Sequence, residues 1–495
     1  MKNLLCVAFC LLTHLLCAQT DTLQTSVLSP PQLQEDFRYL RRLLQETHPG
    51  LYRYTPKPVM QAKLDSVAGL LGQTMRFYTY FNLISKLIAD VRCAHTFALP
   101  LRQWESFFTT QIKTLPFFMF PIENKSYVLF NCTADSRIKP GFELISINGK
   151  SMEQIRQTLY QHHWDDGYIQ TSKQVAMQGQ LFALFYYLFC EQPDTFRLVF
   201  RDLTGELVTI ETAASPYKDW IQYLKKNPVN KQMNAWYNRK RQKHPWRLTF
   251  LNDVPSTGYL RIDSFGGEGA RNSDEAKVKF QAYMDKFMAT LAKKKTQHLI
   301  VDVRDNNGGW DVQGSELLTY LMKSDSAVQY YRRQHTITDS SEFLKYSDLS
   351  ENDLKNLKKE LRPETDGTFT LIDENGKDFS KEMPKPNRFR GKVYILMNGR
   401  SFSTTSEFTA VAHSNQVGTF IGEESGGAYD GGNGASFIHL SLPHSKIYIG
   451  TPLVYYQNNV KPLQKGRGTL PDYSVSITVN DVLTHQDPTW CWSKN

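Results

Sequence analysis

The stretch from Lys392 to Gly427 constrains the fold more than any other part of this chain. It begins with a short apolar run, Val393 to Met397, which is long enough for a buried strand but too short for a helix. Asn398-Gly399 breaks that run, and apolar residues then recur at helical spacing after Glu407. A second apolar run completes the stretch. The pattern predicts a strand, a turn, a helix and a second strand.

Small hydroxyl residues crowd the predicted turn: Ser401, Ser403, Thr404, Thr405 and Ser406. A hydroxyl at a strand-to-helix turn is exposed, and the backbone N–H groups that follow it have no acceptor within the helix. Those donors and the helix dipole favour negative charge, which suits a nucleophile beside half of an oxyanion hole. Such residues also cap helices routinely, so the stretch taken alone favours a cap.

The length and composition indicate a multidomain globular protein. A chain of 495 residues is too long for one simple core and predicts two to four domains. Its 22% charged and 41% hydrophobic residues exclude a disordered chain. The net charge of +9 is modest at this length and does not require a polyanionic partner.

Residues 1–18 have the pattern of a secretory signal peptide. Lys2 precedes an apolar stretch, Leu4 to Leu16, that is too short for a comfortable membrane span, and Ala18 offers a cleavage site. A lipoprotein signal acylated at Cys17 is the weaker alternative. We expect an exported protein, periplasmic, envelope-associated or secreted, with no integral membrane segment after cleavage. The mature chain keeps four cysteines of undetermined pairing, without metal-type spacing: Cys93, Cys132, Cys190 and Cys491.

The periodicity changes along the chain and divides it into segments. Helical spacing dominates the first hundred residues, and short strands with turn residues follow. From Gly258 onwards a strand, a helix, a strand (Leu299 to Val303), a Gly-rich loop (Asp305 to Gly309) and a helix argue for α/β layering. The predicted segments are the signal peptide (1–18), an N-terminal helical domain (19–112), a small β-domain with a helical insertion (113–215), a basic helical linker (216–255), an α/β domain (256–480, with an insertion at 323–390) and a C-terminal tail (481–495).

Residues 216–247 interleave basic and aromatic side chains, a composition that can bind nucleic acid. We favour an amphipathic linker helix with a solvated basic face, because the run is isolated and an exported protein rarely meets nucleic acid. No nucleic-acid partner is therefore predicted.

Six stretches, in chain order, carry a family resemblance: PGFELISINGKSMEQI, GYLRIDSF, VDVRDNNGG, SFSTTSEF, TFIGEESGG and GRGTLPDY. Together they resemble the tail-specific, or C-terminal processing, serine peptidases, a family that includes the tricorn core peptidase and the retinoid-binding repeats. The resemblance implies a catalytic domain of the ClpP and crotonase type, with repeated β-β-α units in a spiral. It also implies a PDZ-like β domain at 113–215, an N-terminal helical domain and no cofactor.

The resemblance implies roles for the turn and for the Gly-rich loop. SFSTTSEF matches the family's nucleophile turn and places the nucleophile at Ser403. The oxyanion donors would be the backbone N–H groups of Thr404 and Gly308, with Gly309 as the fallback. A Gly-Gly pair can present its N–H groups to a substrate carbonyl without a Cβ in the way.

The general base is predicted to be a histidine. One branch of the family uses a lysine about two dozen positions after the serine, but residues 426–432 contain none. The tricorn-like branch uses a histidine in a motif that Cys93 to Thr96 fits, so the resemblance implies His95. A neutral imidazole can take the serine proton near neutral pH. His48 is the next choice, and His413 is expected to be structural.

Two departures from the family pattern leave the orienting group open. Ala94 stands where tricorn-type enzymes carry a serine, and Gln464-Lys465 stands where a glutamate is expected. Glu424 and Asp472 are candidates for orienting His95, and each also has an interpretation as a turn or cap residue. Loss of an orienting acid lowers the rate by orders of magnitude.

The sequence thus predicts an exported serine peptidase that cleaves protein or peptide substrates through a Ser-His acyl-enzyme mechanism, without a metal. The PDZ-like domain would hold an extended peptide near Gly141, Phe142 and Leu144. The alternative is a catalytically weak or inactive protein that binds peptides or apolar ligands on the same scaffold. The sequence does not indicate an oligomeric state.

Overall fold

The computed structural model describes residue 23 and residues 25–233, 244–251, 254–372 and 381–489. The predicted signal peptide, Cys491 and residues 234–243 of the basic stretch lie outside this range. Within it, no helix combines the length and the apolar character needed to cross a bilayer.

The N-terminal unit is mainly helical. Its elements are β1 (Val27–Leu28), α1 (Pro30–Thr47), α2 (Lys57–Leu70), β2 (Met75–Arg76), α3 (Phe77–Val91), β3 (Phe97–Leu99) and α4 (Trp104–Thr110). A capping box at Ser29 starts α1, and the buried apolar faces of α1 and α3 join one core. Arg92 ends α3 in the left-handed conformation (φ 58°), which turns the chain sharply towards His95.

The middle unit is an antiparallel sheet with helices. Its elements are β4 (Lys113–Thr114), β5 (Phe117–Ile122), β6 (Lys125–Asn131), β7 (Glu143–Ile147), β8 (Lys150–Ser151), α5 (Met152–Tyr160), α6 (Thr171–Gln174), α7 (Gln180–Phe189), β9 (Thr195–Arg201), β10 (Leu207–Ala213), β11 (Ser215–Pro216) and α8 (Tyr217–Lys226). The strand order is β10-β9-β7-β6-β5, with β8 beside β7. Trp220, within the basic and aromatic stretch, is fully buried in the core, so this aromatic residue is not available to a ligand.

The C-terminal unit has an α/β architecture. Its strands are β12 (Trp246–Phe250), β13 (Thr257–Ile262), β14 (His298–Asp302), β15 (Tyr331–Thr336), β16 (Leu361–Pro363), β17 (Phe369–Leu371), β18 (Lys392–Met397), β19 (Thr419–Gly422), β20 (Gly431–Ser441), β21 (Tyr448–Asn458) and β22 (Tyr473–Ser474). Its helices are α9 (Ser273–Lys293), α10 (Asp311–Thr319), α11 (Glu351–Asn356), α12 (Thr404–Ser414) and α13 (Val479–Thr484).

A sheet of order β12-β13-β14-β18-β19-β22 forms the centre of this unit. Neighbouring strands in this sheet pair in parallel, except that β12 pairs with β13 in the antiparallel direction. The apolar runs of β14 and β18 are buried, as expected of parallel strands covered on both faces. Because β14 and β18 are adjacent and parallel, the loops after their carboxyl ends, 303–310 and 398–403, meet at one edge of the sheet.

A second sheet, of order β16-β17-β15-β21-β20, connects this unit to the N-terminal unit, because β3 also pairs with β21. The segment 323–390, which we expected to be an insertion, supplies β15 to the interior of this sheet. The sequence of β15, YRRQHT, is mostly polar, and its buried positions are occupied by tyrosine, glutamine and threonine. The apolar pattern that marks a strand is therefore missing there.

Candidate active site

Ser403 occupies the turn between β18 and α12. Its backbone lies at φ 55° and ψ −131°, a conformation that a residue with a side chain rarely adopts. Although Ser403 is at the N-cap position, its side chain caps no helix N–H. Within the described residues its Oγ forms no hydrogen bond, and the residue is partly exposed. The hydroxyl is therefore available to a substrate, which the helix-cap interpretation would not allow.

Neighbouring hydroxyls fix this turn. The Ser401 Oγ donates to the Val303 carbonyl (2.9 Å) and accepts the Asn398 N–H (3.1 Å). The Ser406 Oγ donates to the Ser403 carbonyl at 2.7 Å. Ser401 is fully buried, so these bonds hold the turn against the end of β14 without contact with solvent. Both serines support the backbone around Ser403.

The Gly-rich loop packs directly against Ser403. A Cβ placed on Gly308 would lie 2.7 Å from the Ser403 Cβ and 3.0 Å from the Thr404 nitrogen. Gly308 has φ 97° and Gly309 has φ 141°. The Thr404 hydroxyl donates to the Gly309 carbonyl at 2.8 Å, which ties the loop to the start of α12. Only glycine fits at Gly308, both for its φ and for the space it has.

The backbone donors around Ser403 are not equivalent. The Gly308 N–H donates to the Asn306 Oδ1 at 2.9 Å. In the described part of the chain, the N–H groups of Gly309 and Thr404 donate to no acceptor. These two N–H groups are the donors free to receive an oxyanion. Sequence reasoning missed the role of Asn306, because its hydrogen bond with the Gly308 N–H depends on the local loop geometry.

The loop is anchored by a buried ionic network at the end of β14. Asp302 is fully buried and accepts hydrogen bonds from Arg304 and from the Tyr259 hydroxyl. Burial alone would raise the pKa of Asp302, but Arg304 and Arg261 hold it well below its usual range. Arg304 also pairs with Asp487 at 2.8 Å. The start of the loop is thus held on both sides by paired charges.

His95 lies in the turn between α3 and β3, brought next to the nucleophile turn by the pairing of β3 with β21. Its ring stacks on Phe402, the residue before Ser403, with 4.6 Å between ring centroids. Burial lowers the pKa of His95 to about 4, so the imidazole is neutral at neutral pH. Its Nδ1 is buried and has no hydrogen-bond partner among the described residues, and no hydrogen bond joins the ring to Ser403.

His48 supports the turn that carries His95. Its Nδ1 lies 2.9 Å from the Gly50 nitrogen and accepts that N–H, so the proton of the neutral ring is on Nε2. Nε2 then donates to the Thr96 Oγ1 at 2.7 Å. Burial lowers the pKa of His48 to about 4, which favours this neutral state. His48, our second choice for the base, is occupied by these two contacts.

Asp166 holds the same turn from the other side. Its Oδ1 accepts the Ala94 N–H at 2.8 Å. Burial raises the pKa of Asp166 to about 6, and the Arg53 guanidinium opposes that shift. Arg53 also pairs with Asp430 at 2.6 Å. Sequence reasoning missed Asp166, because no pattern links it to a turn some seventy positions earlier.

Residues 256–475 match the model of peptidase family S41. This part of the chain is similar to the peptidases of that family. The matched S41 region contains the Gly-rich loop and the turn of Ser403, whereas His95 lies outside it.

Two solved structures of mature CPAF share the fold of the chain beyond the S41 region. The crystal structure of mature CPAF is 15% identical, covers 92% of this chain and 94% of that chain, and has a TM-score of 0.59. Mature CPAF complexed with lactacystin is 15% identical, covers 94% of this chain and 97% of that chain, and has a TM-score of 0.62. At this identity the likeness shows the fold alone. No curated protein matches the chain significantly.

The two acids considered for orienting His95 hold other parts of the S41 region together. Glu424 accepts two bonds from Arg467, at 2.8 and 2.7 Å, and the Gly468 N–H at 2.8 Å. Asp472 accepts the Phe420 N–H at 2.8 Å. Within the described residues neither carboxylate contacts His95, so the structure brings no acid to its ring.

Two further side chains of the S41 region lie close behind the site. Glu407, one turn after Ser403, is buried and accepts a hydrogen bond from the Tyr331 hydroxyl at 2.7 Å. Burial raises the pKa of Glu407 to about 7. The His413 ring lies 3.1 Å from the Tyr429 hydroxyl and packs between aromatic rings, which fits a structural role.

The backbone of the predicted peptide-binding residues in the middle unit is already paired. The Gly141 N–H donates to the Val128 carbonyl (2.8 Å), and the Phe142 carbonyl accepts the Val128 N–H (2.9 Å). Leu144 belongs to β7, which lies between β6 and β9 in the sheet. An added peptide strand needs a free edge, and β7 has none.

Among the described residues, no group of three or more His, Cys, Asp or Glu side chains is arranged to hold a metal ion. The chemistry open to these residues is proton transfer and nucleophilic attack by a hydroxyl.

Proposed function

We propose that this protein is a serine peptidase that hydrolyses peptide bonds through Ser403. The observation that carries the proposal is the free, partly exposed Ser403 hydroxyl beside the unpaired N–H groups of Gly309 and Thr404, within a region of peptidase family S41. A nucleophile flanked by two N–H donors is the minimal arrangement for acyl transfer. The pairing of the Gly308 N–H with Asn306 favours Gly309 as the second donor.

His95 is the base in this proposal. The Ser403 Oγ attacks the substrate carbonyl and gives its proton to the His95 Nε2, while Gly309 and Thr404 donate to the oxyanion. His95 then returns the proton to the amine that leaves, and water repeats the sequence to release the acid. The stacking on Phe402 and the neutral state of the ring support this role. The Ser-His hydrogen bond is expected to form when substrate binds, because such bonds are often long in free enzymes.

Labelling with a fluorophosphonate probe tests both assignments. We expect the wild type to be labelled at Ser403, identified by mass spectrometry, and Ser403→Ala and His95→Ala to lose labelling. Ser436→Ala, at a partly exposed serine of β20, and His413→Ala are the matched controls and should label as the wild type does. Labelling that persists in Ser403→Ala refutes the nucleophile. Full labelling in His95→Ala refutes the base.

A catalytically weak protein that binds peptides or apolar ligands is the second candidate. It is favoured because the His95 Nδ1 has no hydrogen-bond partner among the described residues. Without an acceptor on Nδ1 the active tautomer is not fixed, and loss of that support costs orders of magnitude in rate. The two candidates differ in probe labelling: a peptidase is labelled at Ser403, whereas a binder leaves the wild type unlabelled although it still binds peptides.

We also propose that the protein is exported and cleaved after Ala18, and that its substrates are proteins or peptides rather than nucleic acid. The signal-peptide pattern of residues 1–18 supports export. Sequencing the N-terminus of the mature protein tests the cleavage site, and incorporation of a labelled fatty acid at Cys17 would establish the lipoprotein alternative. The β-β-α spiral and the PDZ-like identity of the middle unit remain part of the proposal. Since β7 is interior and β5 is already bonded to Gly179 through Met119, a peptide would pair with the edge strand β10.

A further inference from the structure

Aromatic side chains form a continuous row that begins at His95 and crosses the second sheet. The Phe437 ring lies 5.8 Å from His95, His439 lies 6.0 Å from Phe437, and Tyr448 lies 5.9 Å from His439. Phe97 lies 6.1 Å from both His439 and Tyr448. We call Phe97, Phe437, His439 and Tyr448 the aromatic strip. All four residues are partly exposed.

The strand register places the strip in regular rows. In one row Phe97 of β3, Gly450 of β21 and His439 of β20 lie side by side. In the next row Leu99, Tyr448 and Ser441 lie side by side. The third row lies on the opposite side of the first row. It contains Phe437, two residues before His439 on β20, and the chain before β3 places His95, two residues before Phe97, beside it. The row of Phe437 is therefore the one next to the proposed base.

Gly450 allows the strip to be continuous. A Cβ at this position would lie 2.3 Å from the Phe97 Cζ, so the Phe97 ring occupies the space above β21 that a side chain would fill. Ile438 and Leu440, which alternate with Phe437 and His439 along β20, are buried. The strip thus faces away from the core, on the side of the sheet where His95 stands.

The spacing of the rows matches an extended peptide. Side chains two residues apart on a strand are about 6.8 Å apart, and they lie on the same face. An extended peptide has the same repeat. A peptide lying along the strands would therefore place alternate side chains over successive rows. Single exposed apolar residues are ordinary on protein surfaces, but a contiguous row that starts at a proposed catalytic histidine marks a binding site.

We propose that the aromatic strip binds the part of an extended peptide substrate that follows the scissile bond, and that it selects large apolar or aromatic side chains at alternating positions. The proposal rests on the peptidase function proposed above. His95 stacks with Phe402, beside Ser403, and with Phe437 of the strip. Because His95 must protonate the leaving amine, the strip adjoining it receives the leaving half of the substrate.

Cleavage of a peptide library, read by mass spectrometry, tests the selection. The wild type should cut where aromatic or large apolar residues occupy two positions, separated by one residue, after the scissile bond. Tyr448→Ala and His439→Ala should reduce kcat/KM for such peptides by about three- to tenfold, the range expected for loss of one aromatic contact. Tyr473→Ala is the control, because this tyrosine is 45% exposed on β22 of the other sheet.

A small fluorophosphonate that does not reach the strip separates the two proposals. We expect Tyr448→Ala and His439→Ala to label at the wild-type rate while losing peptide selectivity. Cleavage with no preference after the scissile bond, or an equal loss in Tyr473→Ala, overturns the strip and leaves the peptidase function intact. Absence of both labelling and cleavage in the wild type overturns the peptidase function and the strip with it.

Discussion

The contact between Gly308 and Ser403 makes a quantitative prediction for Gly308→Ala. The new methyl group would start 2.7 Å from the Ser403 Cβ and 2.9 Å from the Phe402 carbonyl oxygen, where about 3.5 to 4.0 Å is comfortable. The loop and the turn must therefore separate by about 1 Å. A misplacement of that size at a reacting centre costs on the order of a hundredfold in rate.

Gly205→Ala is the matched control. Gly205 has φ 95°, close to the 97° of Gly308, but no atom lies within 4 Å of a Cβ placed there. Both variants therefore bear the cost of a left-handed alanine, about 1 kcal/mol of folding free energy, and only Gly308→Ala bears the clash. The rate of fluorophosphonate labelling and the urea midpoint of each variant separate the two effects. We expect Gly205→Ala to label normally with a slightly lower midpoint, and Gly308→Ala to label about a hundredfold more slowly. Equal labelling of the two variants would refute the argument that the loop closes tightly on the nucleophile.

Three further predictions concern charge. The labelling rate should stay constant from about pH 8 to pH 6 and fall by half near pH 4, because burial lowers the pKa of His95 to about 4 and keeps the base neutral above that; a midpoint near the ordinary 6.5 would contradict this. Burial raises the pKa of Glu407 from 4.5 to about 7, so the wild type loses stability as pH rises and this carboxyl ionises. Measured by urea unfolding, Glu407→Gln should therefore become more stable relative to the wild type between about pH 5 and 8, by up to about 3 kcal/mol. An unchanged difference between the two proteins across that range would show that the Glu407 carboxylate is stabilised in a way the structure does not show. Glu424→Gln should lose about 1 to 3 kcal/mol of stability by weakening the pair with Arg467, while the folded protein labels at the wild-type rate; a large loss of labelling would restore Glu424 as a group acting on His95.

The parts of the site that the sequence predicts are those built from local patterns. The apolar runs of β14 and β18 mark parallel strands, and the breaks at Asn398 and at Gly308 mark the loops at their carboxyl ends. The adjacency of these two parallel strands comes from the structure, and it brings the loops together. From the sequence, only the family resemblance placed the Gly-rich loop beside the serine turn. The match to the S41 family model, over residues 256–475, includes the same stretches.

The parts that escaped prediction depend on contacts between distant segments. The choice between Gly308 and Gly309 as a donor depends on which N–H Asn306 accepts, and that is a matter of local dihedral angles. His48 and Asp166 hold the turn of His95 through bonds across 48 and 72 positions, and such spacings carry no pattern. The interior strand β15 is mostly polar, so its place is set by its neighbours rather than by its own apolar residues.

The pairing of β3 with β21 determines when the site can form during synthesis of the chain. His95 is made more than three hundred residues before Ser403, and β21, which anchors the strand after His95, is made later still. A nascent or truncated chain that ends before β21 can hold either half of the site but cannot hold the histidine against the nucleophile. Under the proposed function, the site is therefore complete only once β21 has been made and has paired with β3.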